Sequence, residues 1–218
     1  MNRIYGEQHR LFQQEFDTTK LADKVDELTV FSEIPDAHKA FIESRDLFFL
    51  TSVDHRGYPT CSYKGGDPGF VKVLDNKTIA FPSYNGNGMF LSMGNINAND
   101  KVGLLFIDFE TPHRVRMHGI ASIDRNDPLT KEFVGAELIV RVTLTEIFVN
   151  CPRYIHKYQR IQASKYVPQS DNEKPLTPQW KRVDLLQESL PESDKAITDK
   201  LGTITIEEYQ GLVQKGEA

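Results

Sequence analysis

Short segments rich in β-branched and aromatic residues recur through the middle of the chain and constrain its fold more than any other feature. The first, Leu47–Val53, is followed by a polar turn that contains Gly57. The later segments are residues 58–65, 70–75, 78–81, 101–109, 114–123 and 136–150. At least six strands at this spacing favour an antiparallel β-barrel or β-sandwich.

One segment between these strands has a different pattern. Residues 83–100 begin with Gly86 and Gly88 and continue with Met89, Met93 and Ile96 at helical spacing. The pattern predicts a loop that leads into a short helix. A single helix placed between strands favours a barrel with a covered mouth over a sandwich.

The two ends of the chain differ from this β region. Before residue 46, apolar residues recur three to four positions apart, as expected for helices; they are Leu11, Phe12, Phe16, Leu21, Val25 and Leu28. Ser32, followed by Pro35, predicts a capped helix that continues to Ser44. After Tyr166 the chain is rich in proline and lacks periodicity. We therefore expect an N-terminal helical segment (1–45) packed on a barrel domain (46–166), and a C-terminal arm (167–218).

Charge and composition exclude several classes of function. The net charge of −5 argues against a broad basic surface for nucleic acid. No apolar run approaches the roughly 18 residues of a membrane-spanning helix, and the polar N-terminal stretch lacks a signal-peptide core. We expect a cytoplasmic protein without membrane association. Its two cysteines, Cys61 and Cys151, cannot form a disulfide framework.

The loop before the predicted short helix is the strongest candidate for a binding site. Glycines at a helix N-terminus expose backbone N–H groups, and the helix dipole favours an anion there, most often phosphate. Hydroxyl and amide donors are added by Ser83, Tyr84, Asn85 and Asn87. The alternative is a plain strand-to-helix connection in which glycine only turns the chain. The loop matches neither the P-loop nor the dinucleotide-binding fingerprint.

A second candidate lies on one predicted strand. Arg114 and Arg116 alternate with Val115 and Met117, which predicts that both guanidinium groups lie on one face of the strand. Two such groups suit a carboxylate or phosphate. The alternative is an exposed face paired with acidic neighbours.

The sequence assigns neither catalytic residues nor metal ligands. Cys151 and His156 resemble a nucleophile and a base, but no surrounding pattern supports that chemistry, and the role of the nearby Arg153 stays open. The six histidines lack metal-ligand spacing, so we expect no metal site.

The order of the segments is more specific than any one of them. VDHRGYPT, NANDKVGLLF and RVRMHGIA, in this order, resemble the pyridoxamine 5'-phosphate oxidase-like family of FMN-binding split barrels. The resemblance extends from about residue 41 to about residue 160. It implies a mainly β (α+β) fold: a six-stranded Greek-key split barrel that forms a homodimer, with FMN in clefts between the protomers.

The resemblance also implies which residues bind FMN. Those along the flavin ring are Ser62, Tyr63, Lys64 and Gly65, and those at the phosphate are Ser83, Asn85, Asn87, Gly88 and Met89. The strand that carries Arg114 and Arg116 also reaches the cofactor. The vitamin oxidase has an arginine-lysine pair in its phosphate loop, where this chain has Gly88, Met89 and Phe90. Arg114, Arg116 or Lys64 could replace the missing cations, whereas a phosphate held mainly by backbone and amide groups should bind less tightly.

The implied function is an FMN-dependent oxidoreductase that transfers hydride between flavin and an unknown small substrate or NAD(P)H. Lys64 is the expected positive charge near the ring. Two alternatives stay open: a non-catalytic flavin-binding or flavin-storage protein, and a relative that takes a deazaflavin or haem in the same cleft.

Overall fold

The computed structural model describes residues 4–168 and 176–218. The chain divides into two compact units, Met1–Gln162 and Ala163–Ala218. Residues 169–175 of the predicted C-terminal arm lie outside the described residues. Within the described ranges, no helix has both the length and the apolar content to cross a bilayer, and no group of three or more metal-ligating side chains is placed to hold an ion.

The first unit is built on one antiparallel sheet. Its strands are β1 Val30–Phe31, β2 Leu47–Val53, β3 Pro59–Gly65, β4 Lys72–Val73, β5 Thr78–Tyr84, β6 Lys101–Asp108, β7 His113–Asp124 and β8 Ala136–Val149. The strand order is β3-β2-β6-β7-β8-β5-β4, and β1 pairs with β8. The six long strands and the interpolated helix confirm the predicted α+β split-barrel fold.

The strands are stabilised because every second residue is apolar and packs in a common core. β2 and β7 alternate buried and more exposed residues along their length. The centre of the core is aromatic: the ring of Phe48 lies 4.9 Å from that of Phe81, 5.1 Å from Phe106 and 5.8 Å from Phe70. These contacts join β2, β5 and β6 and fix the curvature of the sheet around the cluster.

Four helices accompany this sheet. They are α1 Glu7–Glu15, α2 Thr19–Thr29, α3 Asp36–Glu43 and α4 Leu91–Ala98. The predicted cap of α3 was wrong, because Pro35 precedes the helix directly and Ser32 lies outside it. The chain around Ser32 is held elsewhere, since the backbone N–H of Ile34 donates to the carbonyl of Asn76 at 2.7 Å.

The second unit contains more regular structure than its sequence indicated. It has two 3₁₀ turns, Gln179–Arg182 and Asp184–Ser189, and two helices, α5 Glu192–Leu201 and α6 Ile206–Lys215. The ammonium group of Lys181, only 3% exposed, pairs with the Asp194 carboxylate at 2.8 Å. Thr205 and Glu208 form a capping box that starts α6.

Candidate functional site

The candidate site lies at the seam where the two ends of the curved sheet face each other. β3 pairs only with β2, and β4 pairs only with Ile79 and Ala80 of β5. The rest of β5, residues 81–84, therefore has one free edge among the described strands. Residues of β3 and β5 line one cleft, so two unpaired strand edges, with their N–H and C=O groups, border the same space.

Helix α4 fills part of this seam. The hydroxyl of Ser92 lies 3.0 Å from that of Ser62 on β3. The Asn95 amide donates to the hydroxyls of Ser52 and Thr60, at 3.1 Å each. Ser92 and Asn95 are buried, so these polar contacts hold the helix against β2 and β3.

The cleft between β3 and β5 has a volume of about 170 Å³. Its residues come from β3, β5, α4 and the segment between β3 and β4: Tyr63, Lys64, Gly65, Phe70, Phe81, Pro82, Ser83, Tyr84 and Met93. Aromatic and apolar side chains are combined with a few polar groups. This arrangement suits a planar ring system with polar substituents.

Lys64 is the cationic group of the cleft. It pairs across the ladder with Phe48, a core residue, so it lies on the inner face of β3. Burial lowers the pKa of the Lys64 ammonium group. No ion pair of the described chain includes Lys64. Its positive charge is therefore available to an anionic ligand.

Tyr84 supplies a hydroxyl group to the cleft, whereas the Tyr63 side chain lies on the outer face of β3, against Phe49. Burial, reinforced by the negative charge of Asp67, raises the pKa of Tyr84 to about 12. Burial also raises the pKa of Tyr63. Both hydroxyls are therefore proton donors at neutral pH. The Tyr63 ring covers Gly65, where an added Cβ would lie 2.8 Å from its Cε1 atom, so a side chain at position 65 would displace the ring.

The glycine-bearing loop presents free amides, as expected for an anion site. The backbone N–H groups of Gly86, Asn87 and Gly88 have no acceptor within the part of the chain that the structure describes. Gly88 has a φ of 77°, a left-handed conformation that favours glycine. The helix begins at Leu91, later than the predicted start near Asn87 and Gly88.

The side chains of this loop are not all directed to one ligand. Asn87 accepts a hydrogen bond from the backbone N–H of Met89 at 3.1 Å. The Asn85 amide donates to the Glu137 carboxylate of β8 at 2.8 Å. Of the predicted phosphate residues, only Ser83 lines the cleft. The loop therefore offers backbone donors, with a carboxylate beside them.

Arg114 and Arg116 lie away from the cleft of their own chain. Both lie on the outer face of β7. In the sheet order, β6 and β2 separate β7 from β3, and β8 separates β7 from β5. Arg114 donates to the backbone carbonyl of Cys151 at 2.9 Å. His118, on the same face, lies 2.7 Å from the Glu146 carboxylate.

Several cleft residues escaped the sequence prediction: Phe70, Phe81, Pro82 and Met93. Pro82 carried a usable signal, because proline lacks an N–H and within sheets is confined to edges and bulges. It lies in the part of β5 that borders the seam. Phe70 carried none, since its position depends on how the segment between β3 and β4 folds back.

The curved antiparallel sheet with a cleft at its seam defines the class of split-barrel proteins. The chain belongs to the pyridoxamine 5'-phosphate oxidase family, whose sequence model matches residues 34–151. This match confirms the resemblance predicted from the sequence.

Solved structures similar to this chain are distant in sequence. HupZ of Group A Streptococcus is 19% identical, with a TM-score of 0.45, over 58% of this chain and 99% of its own. A putative pyridoxamine 5'-phosphate oxidase from Lactobacillus delbrueckii is 19% identical, with a TM-score of 0.46, over 56% and 99%. An FMN-binding protein from Syntrophomonas wolfei is 12% identical, with a TM-score of 0.43, over 64% and 97%. No curated protein matches the chain.

Proposed function

We propose that this protein is an FMN-dependent oxidoreductase that transfers hydride between the flavin and a small substrate or NAD(P)H. The observation that carries the proposal is Lys64: a half-buried cation without an ion-pair partner among the described residues, in a cleft that combines apolar and polar surface. Such a group is costly to bury unless an anionic ligand joins it.

The residues of the cleft fit FMN. Phe70, Phe81 and Met93 would pack on the ring system, and the free edges of β3 and β5 would pair with its polar rim. The unpaired amides of Gly86, Asn87 and Gly88 would hold the phosphate. The absence of a cation from residues 85–90 implies weaker phosphate binding than a loop with arginine or lysine would give.

When bound, FMN supplies the redox chemistry. Lys64 would stabilise negative charge on the reduced ring, and Tyr84 would donate a hydrogen bond from a hydroxyl that stays protonated. Because burial lowers the pKa of Lys64, this residue becomes neutral at a lower pH than an exposed lysine. We therefore expect flavin affinity to fall as the pH rises through the Lys64 pKa.

A homodimer is part of the proposal. The cleft of about 170 Å³ is smaller than the roughly 300 Å³ at the low end of small-molecule sites, which favours a site completed by a second copy. The outer face of the sheet suits this contact: Phe49, Leu105 and Arg116 form a cross-strand row, and Tyr63 beside them is 61% exposed. Arg116 of one copy would then supply a cation near the cleft of the other.

The test is the spectrum and redox behaviour of the purified protein. We expect a yellow protein whose released ligand has the mass of FMN and whose colour bleaches with NADH or NADPH and returns in air. Lys64→Met should lower the flavin affinity about tenfold or more, since a hydrogen bond to a charged group contributes about 1.5–3 kcal/mol. Lys101→Met, at an exposed position on β6, is the matched control. Equal flavin affinity in both variants would contradict the role of Lys64.

A flavin-binding protein without turnover is the second candidate. No histidine, aspartate or glutamate is among the described residues that line the cleft, so general acid-base chemistry would depend on other groups. Flavin that stays oxidised with both nicotinamides and with air excluded would favour this candidate. A Soret band would identify haem as the ligand instead of FMN, and a released ligand with the mass of a deazaflavin would identify that cofactor instead.

A further inference from the structure

The chain that follows β8 crosses the end of the sheet towards the cleft. This segment, residues 151–162 and called the strap here, contains neither helix nor strand. Near its start, Arg114 at the beginning of β7 donates to the carbonyl of Cys151 at 2.9 Å. Farther along, the N–H of Tyr158 donates to the carbonyl of Phe109, just after β6, at 3.1 Å. The strap is therefore fixed along the ends of β7 and β6.

The far part of the strap lies beside the cleft. The guanidinium group of Arg160 pairs with the Asp46 carboxylate at 2.7 Å, and the N–H of Arg160 donates to the Glu110 carboxylate at 3.1 Å. The carbonyl of Asp46 accepts a hydrogen bond from the N–H of Gly66 at 2.9 Å. Gly66 directly follows Gly65, which lines the cleft. Arg160 is therefore held near the β3 side of the cleft.

The strap is basic and contains no acidic residue. Arg153, Lys157 and Arg160 are exposed, whereas the whole chain has a net charge of −5. In the described part of the chain, neither Arg153 nor Lys157 takes part in an ion pair. Their charges are available to a ligand, and three cations along one fixed segment suit a ligand with several phosphate charges.

One aromatic side chain lies among these cations. Tyr154 is 88% exposed and has a φ of 70°, a left-handed conformation that is uncommon outside glycine. Residues held in such conformations cost free energy and cluster at functional sites. An exposed aromatic ring is a stacking surface for a nucleotide base. A ring that stacks on a base, beside cations that bind phosphate, is a combination that recognises a nucleotide.

We propose that the strap binds the adenosine and phosphate groups of a dinucleotide hydride donor and favours NADPH over NADH. The proposal rests on the proposed function, because the flavin in the cleft is the hydride acceptor. The order of groups along the strap fits this ligand. Arg160 is nearest the cleft, where the nicotinamide must lie, and Lys157 follows at the diphosphate. Tyr154 and Arg153 lie farthest along the strap, at the adenine and the 2′-phosphate.

The length and charge of the strap also fit NADPH. The six residue steps from Tyr154 to Arg160 span at most about 20 Å, which is of the order of the length of an extended dinucleotide. The diphosphate needs two positive charges, and the strap carries three. The third is available to the 2′-phosphate of NADPH, a group with roughly two negative charges.

A nucleic acid is the other ligand that combines bases with phosphates. The strap contributes a charge of +3 to the net charge of −5, so the rest of the chain carries −8. That charge repels a long polyanion, which must extend beyond the strap. A dinucleotide needs only the strap and the cleft beside it, so the charge distribution favours the smaller ligand.

Calorimetric titration of the purified protein with NADP⁺ and NAD⁺ tests the proposal without turnover. We expect R153Q/K157Q to weaken NADP⁺ binding about tenfold, and NAD⁺ binding less, because it removes charge-assisted hydrogen bonds to phosphate. R125Q/K39Q removes one exposed arginine and one exposed lysine outside the strap; it is the matched control and should bind like the wild type. Equal NADP⁺ affinities of the two double variants, or equal wild-type affinities for both dinucleotides, would overturn the proposal.

Tyr154→Ala tests the base contact. We expect it to weaken NADP⁺ and NAD⁺ binding by the same factor, about fivefold or more, because both ligands carry the adenine that stacks on the ring. The ratio of the two affinities should stay at its wild-type value, whereas R153Q/K157Q should lower it. Unchanged binding of both dinucleotides to Tyr154→Ala would overturn the proposal.

The flavin spectrum of the same samples separates this proposal from the oxidoreductase. NADP⁺ binding that depends on the strap, without bleaching by NADPH, rejects only the oxidoreductase. Bleaching with the same dependence on NADPH concentration in R153Q/K157Q and R125Q/K39Q rejects only the role of the strap. A single-stranded oligonucleotide that binds more tightly than NADP⁺, and loses its affinity in R153Q/K157Q, would also overturn the proposal.

Discussion

Helix α4 and the N-terminal hairpin formed by α1 and α2 (residues 7–29) show opposite uses of a helix within one unit. α4 buries four of its eight residues, Ser92, Met93, Asn95 and Ile96. The hairpin helices have well-separated apolar and polar faces, yet bury only Asp26. α4, whose buried residues are half polar, lacks such separation. A strong amphipathic pattern therefore indicates that a helix has an apolar face to cover, but does not locate the cover.

The contacts that hold the two regions differ in the same way. Asn95 donates to hydroxyls of Ser52 and Thr60, away from water. The Arg10–Asp23 ion pair of the hairpin includes a carboxylate that is 52% exposed. Buried hydrogen bonds fix a helix at one position, whereas exposed ion pairs are screened by solvent and contribute little.

The largest expected difference between the regions concerns apolar truncation. Ile96→Ala should lower the free energy of unfolding by about 2–5 kcal/mol, because it leaves a cavity in the core. Leu28→Ala, measured where the chain is monomeric, should change it by less than about 0.5 kcal/mol. Urea unfolding of both variants checks this, and similar losses would show that the hairpin face is already covered within one chain.

Removing one polar contact of α4 should have an intermediate effect. Asn95→Ala leaves the hydroxyls of Ser52 and Thr60 without their donor, so we expect a loss of about 1–3 kcal/mol. Asn97→Ala, on the exposed side of the same helix, is the matched control and should be close to neutral. Thermal unfolding of the pair measures the difference, and equal midpoints would mean that the buried network adds no stability.

The smallest effect is expected in the hairpin ion pair. Asp23→Asn should cost at most about 1 kcal/mol at low salt, because the pair is partly exposed. The difference from the wild type should nearly vanish in about 1 M salt, where the Debye length is about 3 Å. Amide exchange of α1 at both salt concentrations measures it. If the stability loss of Asp23→Asn persists in high salt, the ion pair is shielded from solvent like the buried hydrogen bonds of α4.

Local patterns predicted most of the sheet. Leu47–Val53 is a strand with the predicted bounds, and β6, β7 and β8 lie within a residue or two of theirs, because alternating side chains and turn residues act over short distances. The strand predicted at 70–75 is shorter in the structure, where only Lys72–Val73 is extended and paired. The length of a strand depends on the partner strand beside it, which the local sequence does not reveal. The family match of the sequence, residues 34–151, also leaves out the hairpin.

The candidate site was predictable only in part. Tyr63, Lys64, Gly65 and Ser83 were selected from the sequence and line the cleft. The pairing of Asn85 with Glu137 was not foreseeable, because the two residues are 52 positions apart in the chain. Whether FMN contacts the predicted residues stays a prediction.

The free edges of β3 and β5 have a mechanical consequence. No hydrogen bond joins β3 to β5 across the seam in the described structure. The width of the cleft can therefore change as the sheet flexes, without breaking hydrogen bonds between paired strands. The resistance to such breathing is elastic and spread over many residues. The same scaffold can therefore admit ligands of somewhat different thickness. Helix α4 is the fixed side of the cleft, and β5 is the flexible side.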